Sequence, residues 1–419
     1  MGMTMTEKIL AEHSGKAVVK AGDIVTCRVD WAVLHDMFFS IGGQSELYKI
    51  KKIFDPNRCV IIIDHAVPAP TVNDAKGAVK AREFVQQHGI KYFFDVGNHG
   101  VVHQALAEKG FALPGKLIAC GDSHTIAAGA MNCAARGMGP ADMVYVFCLG
   151  ETWYQVGPTV LCELEGKLPD LVCGKDVFLY FAGKYGDATG KNIEFSGTGI
   201  AGLTIAARQS ITTMCAEINA EFALFPCDGI LLEYLEGRAL EDFNPVESDP
   251  DAEYEAVYKV NLNEIVPYVA LPHFIPNNCK PVTEVEGLKI DQALIGSCSN
   301  GRVEDLAVAA RILKGKKVNP GVRLIVTPAS PAIYLEALRA GYLETLAEAG
   351  AVITNPTCGA CYGGHMGLIA AGERCLSTTT RNFKGRMGSP ESEILLSAPA
   401  TAAASAIMGK ITDPRQIEH

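Results

Sequence analysis

The sequence predicts an α/β protein built from repeated strand–helix units around parallel sheets and divided into three parts. Three observations carry this prediction. Short apolar runs end abruptly in polar clusters, and a helical pattern follows each run. In addition, 42 of the 419 residues are glycine, as turns that bring backbone close to a ligand require. A chain of this length exceeds one simple core, so two or three domains are expected.

The runs fall in order along the chain. Residues 59–63 precede Asp64-His65, 92–96 precede Gly97-Asn98-His99, and 116–120 precede Gly121-Asp122-Ser123-His124. Residues 293–295 then lead to Gly296-Ser297-Cys298, 323–326 to Thr327-Pro328, and 351–354 to Asn355-Pro356-Thr357-Cys358. Ligands of parallel sheets bind beyond the carboxyl ends of the strands, which is where these clusters lie. Residues 303–313 repeat apolar side chains at helical spacing, and 331–349 do the same around Gly341. The acidic stretch 247–255 reads as a solvated loop. Breaks near Gly157-Pro158 and Lys280-Pro281 place domains at 1–157, 158–284 and 285–419.

Composition excludes several classes of function. A net charge of −10 with no Lys/Arg run opposes a nucleic-acid partner. No apolar run approaches the roughly 18 residues of a membrane span. The start, Met1-Gly2-Met3-Thr4-Met5-Thr6, has no signal-peptide core. Its match to the loose myristoylation pattern lacks a second membrane signal, so neither membrane nor export is expected and the location reads as cytoplasmic. Fourteen cysteines without a secretory signal point to a reducing compartment. Those in apolar runs, such as Cys59 and Cys162, read as small buried side chains.

Cys358-Gly359-Ala360-Cys361 is a CxxC, with Cys298 at another strand end as its third partner. Spacing leaves three readings open. A redox pair wants a helix N-terminus and no third cysteine. Structural zinc wants four closed ligands. An iron–sulfur cluster with one iron left open wants three thiolates, with Gly359, Gly363 and Gly364 letting backbone N–H groups approach the sulfurs.

The residues around these cysteines narrow the choice. Gly296-Ser297-Cys298-Ser299-Asn300-Gly301-Arg302 and Asn355-Pro356-Thr357-Cys358-Gly359-Ala360-Cys361, with Gly363-Gly364-His365, resemble the cluster motifs of the aconitase superfamily. Within it, the large subunits of the isopropylmalate dehydratase and homoaconitase type are the nearer match. The resemblance runs essentially the full length, to Arg381-Asn382-Phe383-Lys384-Gly385-Arg386. It implies a three-domain aconitase-like core and a hydro-lyase acting on a hydroxy di- or tricarboxylic acid. Isomerisation of 2- and 3-isopropylmalate is implied first, with homoaconitase or a methylmalate, dimethylmalate or maleate hydro-lyase as alternatives. It also implies one 4Fe–4S cluster on Cys298, Cys358 and Cys361, used as a Lewis acid.

Residue by residue, the resemblance makes Asp64-His65 an orienting carboxylate and a proton-handling imidazole, and His103 a further active-site histidine. Asp122 and His124 support the reacting oxygen, with Ser123 between them, and Glu217 lies near that oxygen. Arg381 and Arg386 face substrate carboxylate, which suits the planar guanidinium fork. His35 stands where aconitase has a substrate-contacting glutamine. Without that context Asp64-His65 reads as a strand-end turn, Glu217 as an exposed helix residue and 381–386 as a basic loop.

His35, Asn98, Thr213 and Thr380 depart from the family pattern and are expected to ring the site; His99 reads as plain loop. Single-chain aconitases carry a fourth, swivelling domain with the serine base, and nothing here corresponds to it. A separate small subunit carrying that domain is therefore expected, with the large chain inactive alone. Two competitors remain. Gly197-Thr198-Gly199-Ile200-Ala201-Gly202 formally matches a dinucleotide fingerprint, but 193–196 reads as a poor strand. A non-catalytic, iron-responsive RNA-binding protein is opposed by the acidic charge.

Overall fold

The computed structural model describes residues 2–40, 47 and 50–418. Three parallel sheets organise them. The first has five strands in the spatial order Tyr92–Phe94, Cys59–Ile62, Trp31–His35, Leu117–Cys120, Ala134–Gly137, all parallel. Its three central strands are buried along their whole length, as in sheets covered on both faces. Alternate residues serve opposite cores. Leu34, Ile61 and Leu117 join Ile9 and Phe147, whereas Val33, Ile62 and Ile118 join Leu106 and Phe111.

The second sheet is Phe222–Leu224, Asn192–Ser196, Thr159–Glu165, Ala256–Asn261, again parallel. The third contains five parallel strands, Glu393–Ser397, Arg374–Ser377, Gln292–Gly296, Arg323–Thr327 and Val352–Ile353. Tyr268–Ala270 and Cys279–Pro281 extend it as an antiparallel pair at one edge. The second and third sheets share one core, in which Leu164, Ile193 and Phe225 meet Leu294, Ile325 and Leu396.

The strands read from apolar runs are present, shifted by a residue or two at their ends. The helix read at 303–313 is Val303–Leu313, and its start is held by Asp305, which accepts from Arg302 N at 3.0 Å. Four readings change. The stretch 331–349 is two helices, Pro331–Arg339 and Tyr342–Ala349, broken at Gly341 with φ +77°. The acidic stretch is a clasp on the N-terminus, because Asp249 and Asp251 accept from Met3 N and Gly2 N. The segment judged a poor strand is the inner strand Asn192–Ser196. Its buried Glu194 is satisfied by Thr6 N, Thr6 Oγ1 and Ser248 Oγ. A Cβ at Gly197 or Gly199 would collide with the Leu164 backbone, so these glycines serve strand packing. The fourth change concerns His99 and belongs to the site.

Candidate active site

The carboxyl ends of the first and third sheets face each other across a cavity of about 460 Å³. The first sheet brings His35 at the end of Trp31–His35, His65 beyond Cys59–Ile62, and Asp122, Ser123 and His124 beyond Leu117–Cys120. His103 comes from the helix Val102–Glu108. The third sheet brings Cys298 beyond Gln292–Gly296, Cys358 and Cys361 beyond Val352–Ile353, and Arg381 and Arg386 beyond Arg374–Ser377. Asp64 and Glu217 do not line the cavity; each stands one hydrogen bond behind a histidine that does. A roomier cavity of about 700 Å³ lies elsewhere, between 168–173 and 304–311, but its lining holds no histidine and a single cysteine, Cys173, among the described residues.

On the first-sheet wall most polar groups are bonded to one another, although His35 Nδ1 and His103 Nδ1 are buried without a hydrogen-bond partner among the described residues. Asp64 Oδ1 lies 2.5 Å from His65 Nδ1, and its other oxygen accepts from Val102 N at 3.0 Å. The carboxylate thereby anchors the helix that carries His103. His65 Nε2 is left pointing at Asp122 Oδ2, 3.5 Å away. Asp122 Oδ1 is 2.8 Å from His103 Nε2 and accepts from His124 N at 2.8 Å. His124 Nε2 is 2.7 Å from Glu217 Oε1, which also accepts from Arg381 Nε at 2.8 Å. Arg381 Nη2 donates to Ser123 Oγ at 2.9 Å. His35 stacks on His65 with ring centres 4.3 Å apart.

Electrostatics follow from these pairs. Burial alone would raise the Asp122 carboxyl, but His103 and His124 beside it hold it well below its ordinary value. Burial alone would lower His124, and the bonds to Asp122 and Glu217 raise it instead. The thiols divide. Burial pushes Cys298 well up and Cys358 up to about 12. For Cys361 the effect of burial is outweighed by Arg386 and His124, so its thiol is lowered.

The third-sheet wall is tied to the first by main chain. Cys358 N donates to Asp64 O at 3.0 Å, and Thr357 Oγ1 donates to the carbonyls of Asp64 and His65 at 2.9 Å each. His365 Nε2 lies 2.8 Å from His65 O. Gly363 (φ +82°) lets this loop press on Arg386, since a Cβ there would lie 2.4 Å from Arg386 O. The Cys298 turn is held by the buried Arg302, whose Nη2 donates to Cys298 O at 2.6 Å and Nη1 to Ser299 O at 2.8 Å.

Several of these supports escaped sequence reasoning. His99, read as loop, is buried and sits 3.0 Å from Pro356 O, bracing the CxxC loop. Asp36 accepts from the N–H groups of Asp64, His65 and Ala66. An acid directly after a buried strand was the available signal for it. Of the departures expected to ring the site, His35 lines the cavity and Thr380 Oγ1 lies 3.9 Å from Cys361 Sγ. Thr213 bonds instead to Gln209 O in its own helix, and Asn98 is exposed and bonded to Lys109.

The donor set suits a soft, thiolate-bound iron–sulfur group. Three thiols line one cavity, and Arg386 Nε is buried without an acceptor among the described residues. The donor atoms of His103, Asp122 and His124 lie within 4.8 Å of one another, but hydrogen bonds to carboxylates already engage one nitrogen of each ring.

A family profile described as "Aconitase family (aconitate hydratase)" matches residues 7–283 and 275–409. Three similar proteins are named 3-isopropylmalate dehydratase large subunit. That of Mycolicibacterium smegmatis is 52% identical over 100% of this chain and 98% of its own. That of Methanopyrus kandleri, large subunit 1, is 47% identical over 99% of each. That of Aquifex aeolicus is 45% identical over 100% of this chain and 98% of its own. Among solved structures, Thermococcus kodakaraensis aconitase X in its holo-form is 12% identical, with TM-score 0.48 over 91% of this chain and 93% of that one. Both profile and relatives extend over nearly the whole sequence, and the chain belongs to the aconitase family.

Proposed function

We propose that this chain is the large subunit of a two-subunit hydro-lyase that interconverts 2- and 3-isopropylmalate by removing and re-adding water. The observation that carries the reading is the convergence of three thiols, two arginines and the His–Asp pairs on one cavity. Relatives that this chain spans almost end to end are large subunits by name, which supports a small-subunit partner.

Cys298, Cys358 and Cys361 would hold the 4Fe–4S cluster. When bound, it would supply a Lewis acid that makes the substrate hydroxyl a better leaving group. Arg386 and Arg381 grip the carboxylates, Arg381 oriented through Glu217 and Ser123. Asp64 holds His65 by Nδ1, so that Nε2 faces the substrate and carries the proton that leaves with the hydroxyl as water. Asp122 positions His103 and His124 around the same oxygen. The C–H proton, whose removal completes the double bond, goes to a base on the small subunit.

The lining also bears on the substrate. Among the described residues Met37, Met138 and Tyr362 line the cavity together with Arg381 and Arg386. Two guanidinium forks beside apolar side chains suit a dicarboxylate that carries a branched alkyl group. The test is an anaerobic assay of the reconstituted chain with its small subunit on 2-isopropylmalate, homocitrate and methylmalates, following ultraviolet absorbance of the alkene. Turnover of isopropylmalate well above the others is expected. Turnover of homocitrate or a small malate in preference overturns the substrate assignment, and no turnover of any hydroxy acid overturns the activity.

A further inference from the structure

Lys175 has no place in the chemistry above, yet its position is anomalous. It is wholly buried, and its ammonium donates to Thr379 O at 2.6 Å, Thr378 O at 3.2 Å and Ser299 Oγ at 3.1 Å, with Met214 Sδ at 3.2 Å. All these acceptors are neutral, and no carboxylate among the described residues pairs with it. It is also the second residue of the helix Gly174–Tyr185, at the positive end of the helix dipole, where a cation is disfavoured. Burial pulls its pKa down to about 8, which still leaves an ammonium at neutral pH.

The neighbouring helix handles the same problem differently. Arg208 is equally buried, but it pairs with Asp228 through two bonds of 2.8 and 2.6 Å. An interior charge with only neutral hydrogen-bond partners is costly, and no carboxylate among the described residues lies within ion-pair distance of Lys175. Its ionisable neighbours are Cys173, Cys298, Cys361 and Glu217, together with the buried Asp176 and Asp305, which both feel its charge. Asp176 is engaged by Cys173 N and Tyr268 N, and Asp305 by Arg302 N and Asn300 Nδ2. Cys173 is pushed well up by burial and stays neutral, and Glu217 is engaged by His124 and Arg381. Two proposed cluster ligands remain. Its acceptors Ser299, Thr378 and Thr379 belong to the two segments that carry Cys298 and Arg381.

We propose that Lys175 is a positioning residue for the iron–sulfur cluster, its buried ammonium serving as counter-charge to the anionic cluster–thiolate assembly at Cys298 and Cys361. A dicationic 4Fe–4S core on three thiolates carries one net negative charge, which this cation matches. The inference rests on the cluster reading above. One further consequence concerns redox poise, because a nearby fixed cation favours the reduced, more negative cluster.

The test compares wild type, Lys175→Gln, which keeps a donor and removes the charge, and Lys175→Arg, which keeps the charge. Iron and sulfide per chain, iron loss to a chelator, the cluster's reduction midpoint and melting with and without cluster are measured anaerobically. For Lys175→Gln we expect cluster-free melting close to wild type, several-fold faster iron loss, a lower midpoint and a smaller gain in melting temperature on loading. Lys175→Arg restores much of the midpoint. Wild-type retention and midpoint in Lys175→Gln overturn the proposal. So does a cluster-free Lys175→Gln chain that melts far below wild type, since the lysine is then a structural anchor. A wild-type chain that takes up no cluster overturns the cluster reading itself, a failure visible before any variant is compared.

Discussion

The two walls of the cavity differ in what their polar groups are bonded to. On the first-sheet wall each carboxylate already has a partner, Asp64 with His65 and Asp122 with His103, and Glu217 behind it joins His124 to Arg381 of the facing wall. On the third-sheet wall the thiols line the cavity together and Arg386 Nε lacks an acceptor among the described residues; behind it Lys175, on the helix Gly174–Tyr185, has only neutral acceptors. On the proposed reading the first wall moves protons, with its carboxylates set by hydrogen bonds to the histidines. The other receives a charged group, which balances Arg386 and the lysine behind it.

If this division is right, substitutions on the two walls separate cluster content from turnover. The largest effect belongs to Cys298→Ser, which should lose most of its iron and at least about 1000-fold in turnover; iron analysis beside the alkene assay checks both. Asp64→Asn should keep the iron while turnover falls about 100- to 10,000-fold, because His65 loses the partner that orients Nε2. Loss of iron in Asp64→Asn would break the division, since the walls would then act as one unit. Arg386→Lys should keep the iron and lower kcat/KM about 10- to 100-fold, because an ammonium cannot reproduce the guanidinium fork.

The smallest effect is a pH dependence within the first-sheet wall. His124 is raised in the folded protein, so its contribution to stability is fully present below the unfolded value near 6.5 and is lost as pH rises through the folded value. His124→Gln in the cluster-free chain should therefore cost more stability at pH 6 than at pH 8. Denaturant titration at the two pH values measures this, and an equal or larger cost at pH 8 would mean that the pairing with Asp122 and Glu217 is not felt as charge.

Much of this was readable from residues alone, for a physical reason. A buried parallel strand must be apolar along its length and must end where the chain turns, so runs such as 59–63 and 116–120 announce both a strand and a ligand-facing end. Cys358 and Cys361 are local in sequence and needed only Cys298 and the motif around it. Lys175 and His99 were illegible, because their meaning is a partner far along the chain. His99 reaches Pro356, and Lys175 reaches Ser299 and Thr379. The segment 193–196 read as a poor strand, and the groups that satisfy its buried Glu194 likewise lie far off, at Thr6 and Ser248.

The amino-acid sequence by itself determined the strand–helix order, the strand ends where chemistry gathers, the three-cysteine pattern and the family. These depend on periodicity and residue type over short stretches. Only the tertiary structure decided which wall is internally paired and which holds uncompensated charge. Hydrogen bonds and Coulomb interactions act across a few ångströms of space, and the groups that meet here are as much as 300 residues apart along the chain, as His65 and His365 are.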